Sequence, residues 1–225
     1  MPIEVRRAAD RFRTTDAGRD TWHSFSFGVH YDPHNIGFGA LIAHNDEHLD
    51  GGAGYPDHPH ADTEILTWVI DGALHHRDDA GHEGVLEAGQ VQLLSAGSGV
   101  VHTEFADRGE PTRFVQTWIR PDESGLTPAY SLGGAPGPGG SVLASGDDGG
   151  LPLRTRGAAC HAFVLGPQQR QELPDAPRLH VFVVSGEVQL DAHTLDPGDA
   201  ARLVHEGGRA VRAEGTAHLL VWALA

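Results

Sequence analysis

Twice along this chain a strand-like run ends in V-x-x-G, a hairpin follows, and L-x-x-G leads into another strand. The first copy reads WVIDGALHHRDDAGHEGVLEAGQVQLL and the second FVVSGEVQLDAHTLDPGDAARLV. Aligning Gly72 with Gly186 and Gly89 with Gly198 makes the second hairpin five residues shorter, a difference that a loop absorbs. Two unrelated hairpins can look alike. Here both glycines and the flanking strands recur in the same order, which points to an internally duplicated unit.

Helical periodicity is scarce elsewhere. Short runs rich in Val, Ile, Leu, Phe and Trp recur between Gly, Asp and Pro: HSFSFGV, ILTWVI, VQLLSA, RFVQTWI, HVFVVSG and AHLLVWAL. Many short strands separated by turn signals predict an all-β protein built as a barrel or sandwich. The one long Gly/Pro-rich stretch, SLGGAPGPGGSVLASGDDGG at 131–150, has the composition of a linker and none of the residues of a core. The expected organisation is therefore a domain at 1–130, a linker at 131–150 and a smaller domain at 151–225.

Charge narrows the function. The net charge of −15 argues against a broad phosphate-binding surface, and so against direct DNA or RNA binding. No apolar run approaches the roughly 20 residues that span a bilayer, and the first 20 residues contain no apolar signal region. Cys160 is the only cysteine, which rules out an intramolecular disulfide, suits a reducing cytoplasm and reads as a small buried hydrophobe. All 16 basic residues are arginine, as a GC-rich genome would give, and there are also 16 histidines, most of them expected at the surface.

Two histidine pairs stand apart. In GYPDHPHADTE, His58 and His60 project from one face of a strand, and Glu64 shares their parity if the strand continues. In GVVHTEFAD, about forty residues on, His102 and Glu104 repeat the spacing after the turn AGSG. Two such strands can converge inside a barrel. Three imidazoles and a carboxylate suit a first-row transition metal, leaving positions open for substrate or oxygen on a six-coordinate ion. Surface histidines are the bland alternative, and the second pair is what weighs against it. The glycine offsets place Glu172 and Pro174 at His58 and His60, and Val211 and Ala213 at His102 and Glu104, so one metal per chain is expected. Asp62 and Glu64 are candidates for orienting the ligating histidines. One of His75 and His76 must point outward from its hairpin, with the surface as the default for the pair, and His23, His30 and His34 read as packing or hydrogen-bonding residues. Nothing matches a phosphate loop, a nucleophile elbow or a zinc-finger spacing.

Glycine-flanked H-x-H with a later histidine after a glycine turn resembles the cupin superfamily. More narrowly, HPHADTEILTWVIDG and AGSGVVHTE resemble the two motifs of the pirin family. DTWHSFSFGVHYDPHNIGFGAL and WIRPDESGLTPAY resemble the opening and closing segments of that family's first barrel. The resemblance is specific from about residue 3 to 130; beyond that it rests on architecture. It implies a bicupin, two small β-barrels in tandem, with a metal in the first held by His58, His60, His102 and Glu104. Many other cupins take their carboxylate from the first motif, at the place of Glu64, whereas pirins take it from the second.

Bacterial relatives in that family resemble quercetin 2,3-dioxygenases, and mammalian pirin resembles an iron-dependent transcription co-regulator. The expectation is a metal-dependent dioxygenase that opens a flavonol-like enol or phenolate with O₂, with Glu104 as general base. The alternative is a non-enzymatic regulator whose metal senses redox state for a protein partner; an isomerase or detoxifying enzyme for another small carbonyl compound is a third. The native ion is expected to be Fe(II), although a nitrogen and oxygen site of this kind also accepts Zn, Ni, Cu, Mn or Co.

Overall fold

The computed structural model describes residues 3–225, which form antiparallel strand pairs, and among them the one helical element is a 3₁₀ turn, Ala8–Asp10. No helix among the described residues is long and apolar enough to cross a membrane. The chain forms two compact units.

The first unit runs over Phe12–Ala135 with Leu151–Thr155 added. Its larger sheet orders the strands Ala129–Gly133, Val91–Ser95, Glu64–Asp71, Thr112–Ile119, Leu41–Leu49, Arg19–His23 and Phe12–Asp16. Its smaller sheet orders Gly54–His60, Val100–Ala106, Ala73–Asp78 and Glu83–Glu87. The second unit repeats the plan. Its larger sheet contains Ile3–Arg6, Ala200–Val204, Arg178–Ser185, Ala217–Leu224, Ala158–Leu165 and Ser141–Ser145 in that order, and its smaller sheet contains Arg170–Glu172, Ala210–Ala213, Val188–Leu190 and His193–Leu195.

Duplication is visible atom by atom. Gly72 and Gly186 both sit at φ +76°, where a side chain is strained. A Cβ at Gly72 would lie 2.4 Å from the Pro111 carbonyl oxygen, and one at Gly186 would lie 2.2 Å from that of Thr216. No other residue fits either turn.

Inward rows of side chains show where the two units differ. In the first unit the rows Phe114–Gln116–Trp118, Val69–Thr67–Ile65 and Leu74–His76–Asp78 each place a polar residue mid-row. The apolar ends of these rows lie in separate clusters, Phe114, Val69 and Leu74 in one and Ile65 with Trp118 in another. In the second unit the rows Leu219–Val221–Ala223, Val183–Val181–Leu179 and Val188–Leu190 are apolar throughout and form one continuous core. Filling a barrel with aliphatic side chains is the cheaper solution, because every buried polar group must find a partner. The first unit keeps its polar centre.

Three details differ from the sequence expectation. The stretch 131–150 is not bare linker: it carries the end of strand Ala129–Gly133 and all of Ser141–Ser145, whose Leu143 and Ala144 are buried. Its small residues allow close strand approach, which composition alone does not reveal. The strand Ile3–Arg6 pairs with Ala200–Val204, so the segment ending at Arg11 belongs to the second unit. Finally, Val211 faces Leu190 as Glu104 faces His76, so Val211 matches Glu104 and not His102. The turn after Gly198 is two residues shorter than the one after Gly89, which shifts the alignment. Leu173, bonded through its N–H to the Arg209 carbonyl, takes the place of His58 in the register. Leu173, Leu190 and Val211 are all core residues.

Candidate metal centre

Antiparallel pairing of Gly54–His60 with Val100–Ala106 sets His102 directly opposite His58. The candidate ligand atoms of His58, His60 and His102 all lie within 4.8 Å of one another. Ring centroids are 4.9 Å apart for His58 and His60, 4.3 Å for His58 and His102, and 5.1 Å for His60 and His102. The i, i+2 spacing that looked significant in the sequence does bring these three rings together.

The chemistry of the rings fits a cation. Nδ1 of His58 lies 2.8 Å from the Pro56 carbonyl oxygen, which can only accept, so Nδ1 carries the proton and Nε2 keeps its lone pair. His102 is 1% exposed, and neither of its ring nitrogens has a hydrogen-bond partner. A buried imidazole with both nitrogens idle is costly unless something binds there. Burial first, then the neighbouring imidazoles, push the pKa of His60 and His102 down to about 3. Both rings are therefore neutral at physiological pH, the form in which an imidazole can bind a metal.

Glu104 belongs to a second, overlapping group with His102 and His76, whose candidate ligand atoms again lie within 4.8 Å of one another. It is buried, and its oxygens accept hydrogen bonds from two amides. Nε2 of Gln116 lies 3.0 Å from Oε1 and 3.1 Å from Oε2, and Nε2 of Gln92 lies 3.3 Å from Oε1. Gln116 is itself fixed by Trp118, whose Nε1–H donates to its Oε1 at 2.9 Å. Gln92 accepts from the Tyr130 hydroxyl at 3.0 Å. Burial raises the Glu104 pKa above the usual carboxylate range, opposed by the Gln116 hydrogen bond.

His76 is the residue that the sequence reading placed wrongly, at the surface. Its strand alternates outward His75 and Arg77 with inward Leu74, His76 and Asp78, and His76 is 1% exposed. Nε2 lies 3.2 Å from Asp78 Oδ2, the ring stacks on Tyr130 at 4.8 Å, and Nδ1 is buried without a partner. The signal was present: Leu74 alone fixes the parity of ALHHRD. His75 does face outward, bonding Asp107 at 3.1 Å.

Glu64 stands apart from both groups. It is buried, accepting from Ser95 Oγ at 2.8 Å and from the Arg154 backbone N–H at 3.2 Å. Asp62 accepts from the Gly125 N–H at 2.7 Å. Neither bonds a histidine of the cluster; the Pro56 carbonyl holds His58, and Asp78 holds His76 and His82. His23 packs on Phe27 and bonds Asn45 at 3.0 Å, and Cys160 is fully buried with its thiol pKa pushed up by burial.

A cavity of about 300 Å³ opens onto His58, His60 and Glu104, lined also by the rings of Phe27, Tyr55 and Trp118. That is the lower end of the range for small-molecule sites and has room for a planar aromatic compound.

Comparison with known proteins agrees with this picture. The Pirin family matches residues 5–119, and the quercetinase C-terminal cupin domain matches residues 143–224. A Mycobacterium tuberculosis protein provisionally named quercetin 2,3-dioxygenase is 41% identical over 98% of this chain and 94% of its own length. The Escherichia coli quercetin 2,3-dioxygenase is 31% identical, covering 99% of this chain and 98% of its own. The crystal structure of the E. coli bacterial pirin YhhW in complex with nickel(II) superposes with a TM-score of 0.93 at 31% identity, covering 99% of this chain and 98% of that one. With matches of this extent in both units, the chain belongs to the pirin family and is a bicupin.

Proposed function

We propose that this protein is a divalent-metal-dependent dioxygenase of the pirin type, opening a flavonol-like enol or phenolate with O₂. His58, His60, His102 and Glu104 are the proposed metal ligands, and Fe(II) is the proposed native ion. The observation that carries this reading is His102: buried, neutral, with both nitrogens idle, beside two further imidazoles that line an aromatic cavity. Relatives named quercetin 2,3-dioxygenase and a nickel-bound bacterial pirin support it.

A divalent ion bound there would supply Lewis acidity toward the substrate's deprotonated hydroxyl and a coordination position for oxygen. The chain does the rest. Phe27 and Trp118, in edge contact at 5.2 Å, offer apolar faces that exclude water and orient a flat substrate. Glu104 takes the proton from the substrate hydroxyl. The amides of Gln116 and Gln92 hold it in place as it changes charge. The small aromatic compound and O₂ are the proposed partners, and the single buried thiol suits a reducing cytoplasm.

Oxygen consumption tests the proposal. Protein loaded anaerobically with Fe(II), Mn(II), Co(II), Ni(II) or Cu(II) is given quercetin, with a His58→Ala/His60→Ala double variant as control. Metal-dependent uptake that the variant lacks is expected. A protein that binds one ion per chain yet consumes no oxygen with any metal would defeat the dioxygenase reading in favour of the redox-sensing regulator.

A further inference from the structure

Strand Leu41–Leu49 carries four consecutive buried polar residues, His44, Asn45, Asp46 and Glu47. Three of them have side-chain partners inside the chain. His44 pairs with Thr117 at 2.9 Å, Asn45 with His23 at 3.0 Å, and Asp46 takes both ends of the Arg113 guanidinium at 3.0 Å. Glu47 is different. Its Oε2 accepts from the Thr21 hydroxyl and from the Tyr55 hydroxyl at 2.8 Å, while Oε1 is bonded to no group among the described residues. Glu47 is 3% exposed, yet it lines the same cavity as His58, His60 and Glu104.

The spare oxygen opens on the cavity, where water can meet it. A ligand that displaces that water without replacing its hydrogen bond leaves the carboxylate unpaired at a cost in free energy. Its orientation is nevertheless fixed. Thr21 and Tyr55 hold one oxygen, and the Arg19 guanidinium lies over the Tyr55 ring, 4.6 Å from its centroid. The fold therefore holds an idle acceptor in a cavity whose remaining lining includes Phe27 and Trp118. Nothing in the proposed proton transfer uses it.

We propose that Glu47 is a specificity-determining residue whose free oxygen accepts a hydrogen bond from a second hydroxyl of the substrate, distant from the oxygen held at the histidines. This rests on the dioxygenase reading and narrows its substrate class to polyhydroxylated planar aromatics. Aromatics with only the single metal-binding hydroxyl are discriminated against, because they leave the carboxylate desolvated and unpaired. Sites built to bond a hydroxyl reject the analogue lacking it far more strongly than apolar pockets reject a missing methylene.

The test is a pair of binding titrations on nickel-loaded protein under argon at pH 8, so that no turnover occurs. Quercetin carries hydroxyls beyond the 3-position, and 3-hydroxyflavone carries none. Wild-type protein is expected to favour quercetin by roughly tenfold or more, the worth of one charge-assisted hydrogen bond. Glu47→Gln still accepts from Thr21 and Tyr55 but turns an amide donor toward the cavity. It should lose most of that ratio, by weaker binding of quercetin and by relief of the unpaired charge when 3-hydroxyflavone binds. Glu47→Asp, which withdraws the carboxylate by one methylene, should lose it too. Unchanged ratios in both variants, with cooperative melting intact, would overturn the assignment of Glu47 while leaving the dioxygenase reading standing. If neither flavonol binds wild-type protein, the flavonol reading itself fails and takes this inference with it.

Discussion

Glu104 and Gln116 meet through a single amide nitrogen that reaches both carboxylate oxygens, at 3.0 and 3.1 Å. Trp118 holds the other end of the same amide, so the indole lining the cavity and the candidate base are mechanically linked. Gln116→Leu should leave Glu104 buried with only the longer Gln92 contact, raising its pKa further. Metal affinity is expected to fall by about ten- to a hundredfold, as for other losses of groups that orient ligands. Competition against a chromophoric chelator measures it. An unaltered affinity would show that the amide merely fills space.

The metal-free protein should lose stability in acid through two particular rings. His60 and His102 have folded pKa values near 3 against an ordinary value of 6.5, so the unfolded chain binds more protons between those limits. Their contribution is complete above pH 6.5 and is lost as pH falls toward 3. Thermal melts of metal-free protein from pH 7.5 down to 4.5 should therefore slope more steeply for wild type than for His102→Ala. Parallel slopes would mean that the rings are not held neutral by burial.

Glu47 behaves in the opposite sense. Burial first, with the charges of Glu104 and Asp46 adding, lifts its pKa from 4.5 to about 7. Its stabilising contribution is full below pH 4.5 and disappears as pH rises through 7, because the folded protein holds the proton longer. Glu47→Gln removes the titration, so the variant should gain on wild type as pH climbs from 4.5 to 8. The ceiling is about 3 kcal/mol at about 1.4 kcal/mol per unit. Urea denaturation at the two ends of that range is the check, and a difference independent of pH would be incompatible with it.

The second unit should be dispensable for metal content and indispensable for folding. Leu190 occupies the place of His76 and is fully buried in a continuous aliphatic core. Leu190→Ala should cost about 2–5 kcal/mol and leave a cavity. Elemental analysis of the folded variant should still find one metal ion per chain, as expected for wild type; two ions in wild type would contradict this.

Much of the site was legible because its residues follow the shortest rule in a strand. His58, His60 and His102 announce themselves by alternation within single segments, and the paired glycines fix the repeat because no side chain fits the turn. His76 was missed although its parity could be read from Leu74. In a chain with so many histidines, an H-H pair in a hairpin looks like surface until the partner strand is known. Glu47 was harder still. No motif marks HNDE, and its partners Thr21, Tyr55 and Arg113 reach it only through pairing with distant strands. The offset error in the second copy came from one turn shortened by two residues, a change that ladder registers reveal and a linear alignment conceals. The Gly/Pro-rich stretch misled because small residues serve a strand packed closely against a neighbour as readily as they serve a flexible tether.

The pairing of Ile3–Arg6 with Ala200–Val204 has a consequence for synthesis. Strand Ile3–Arg6 leaves the ribosome before any strand of the first unit, yet the edge that receives it is translated only after that unit's strands are complete. During elongation its apolar Ile3 and Val5, which finally pack on the second core, stay without their destination. The order of translation and the order of assembly are thus crossed. The pairing of the earliest described strand therefore waits for the synthesis of one of the last.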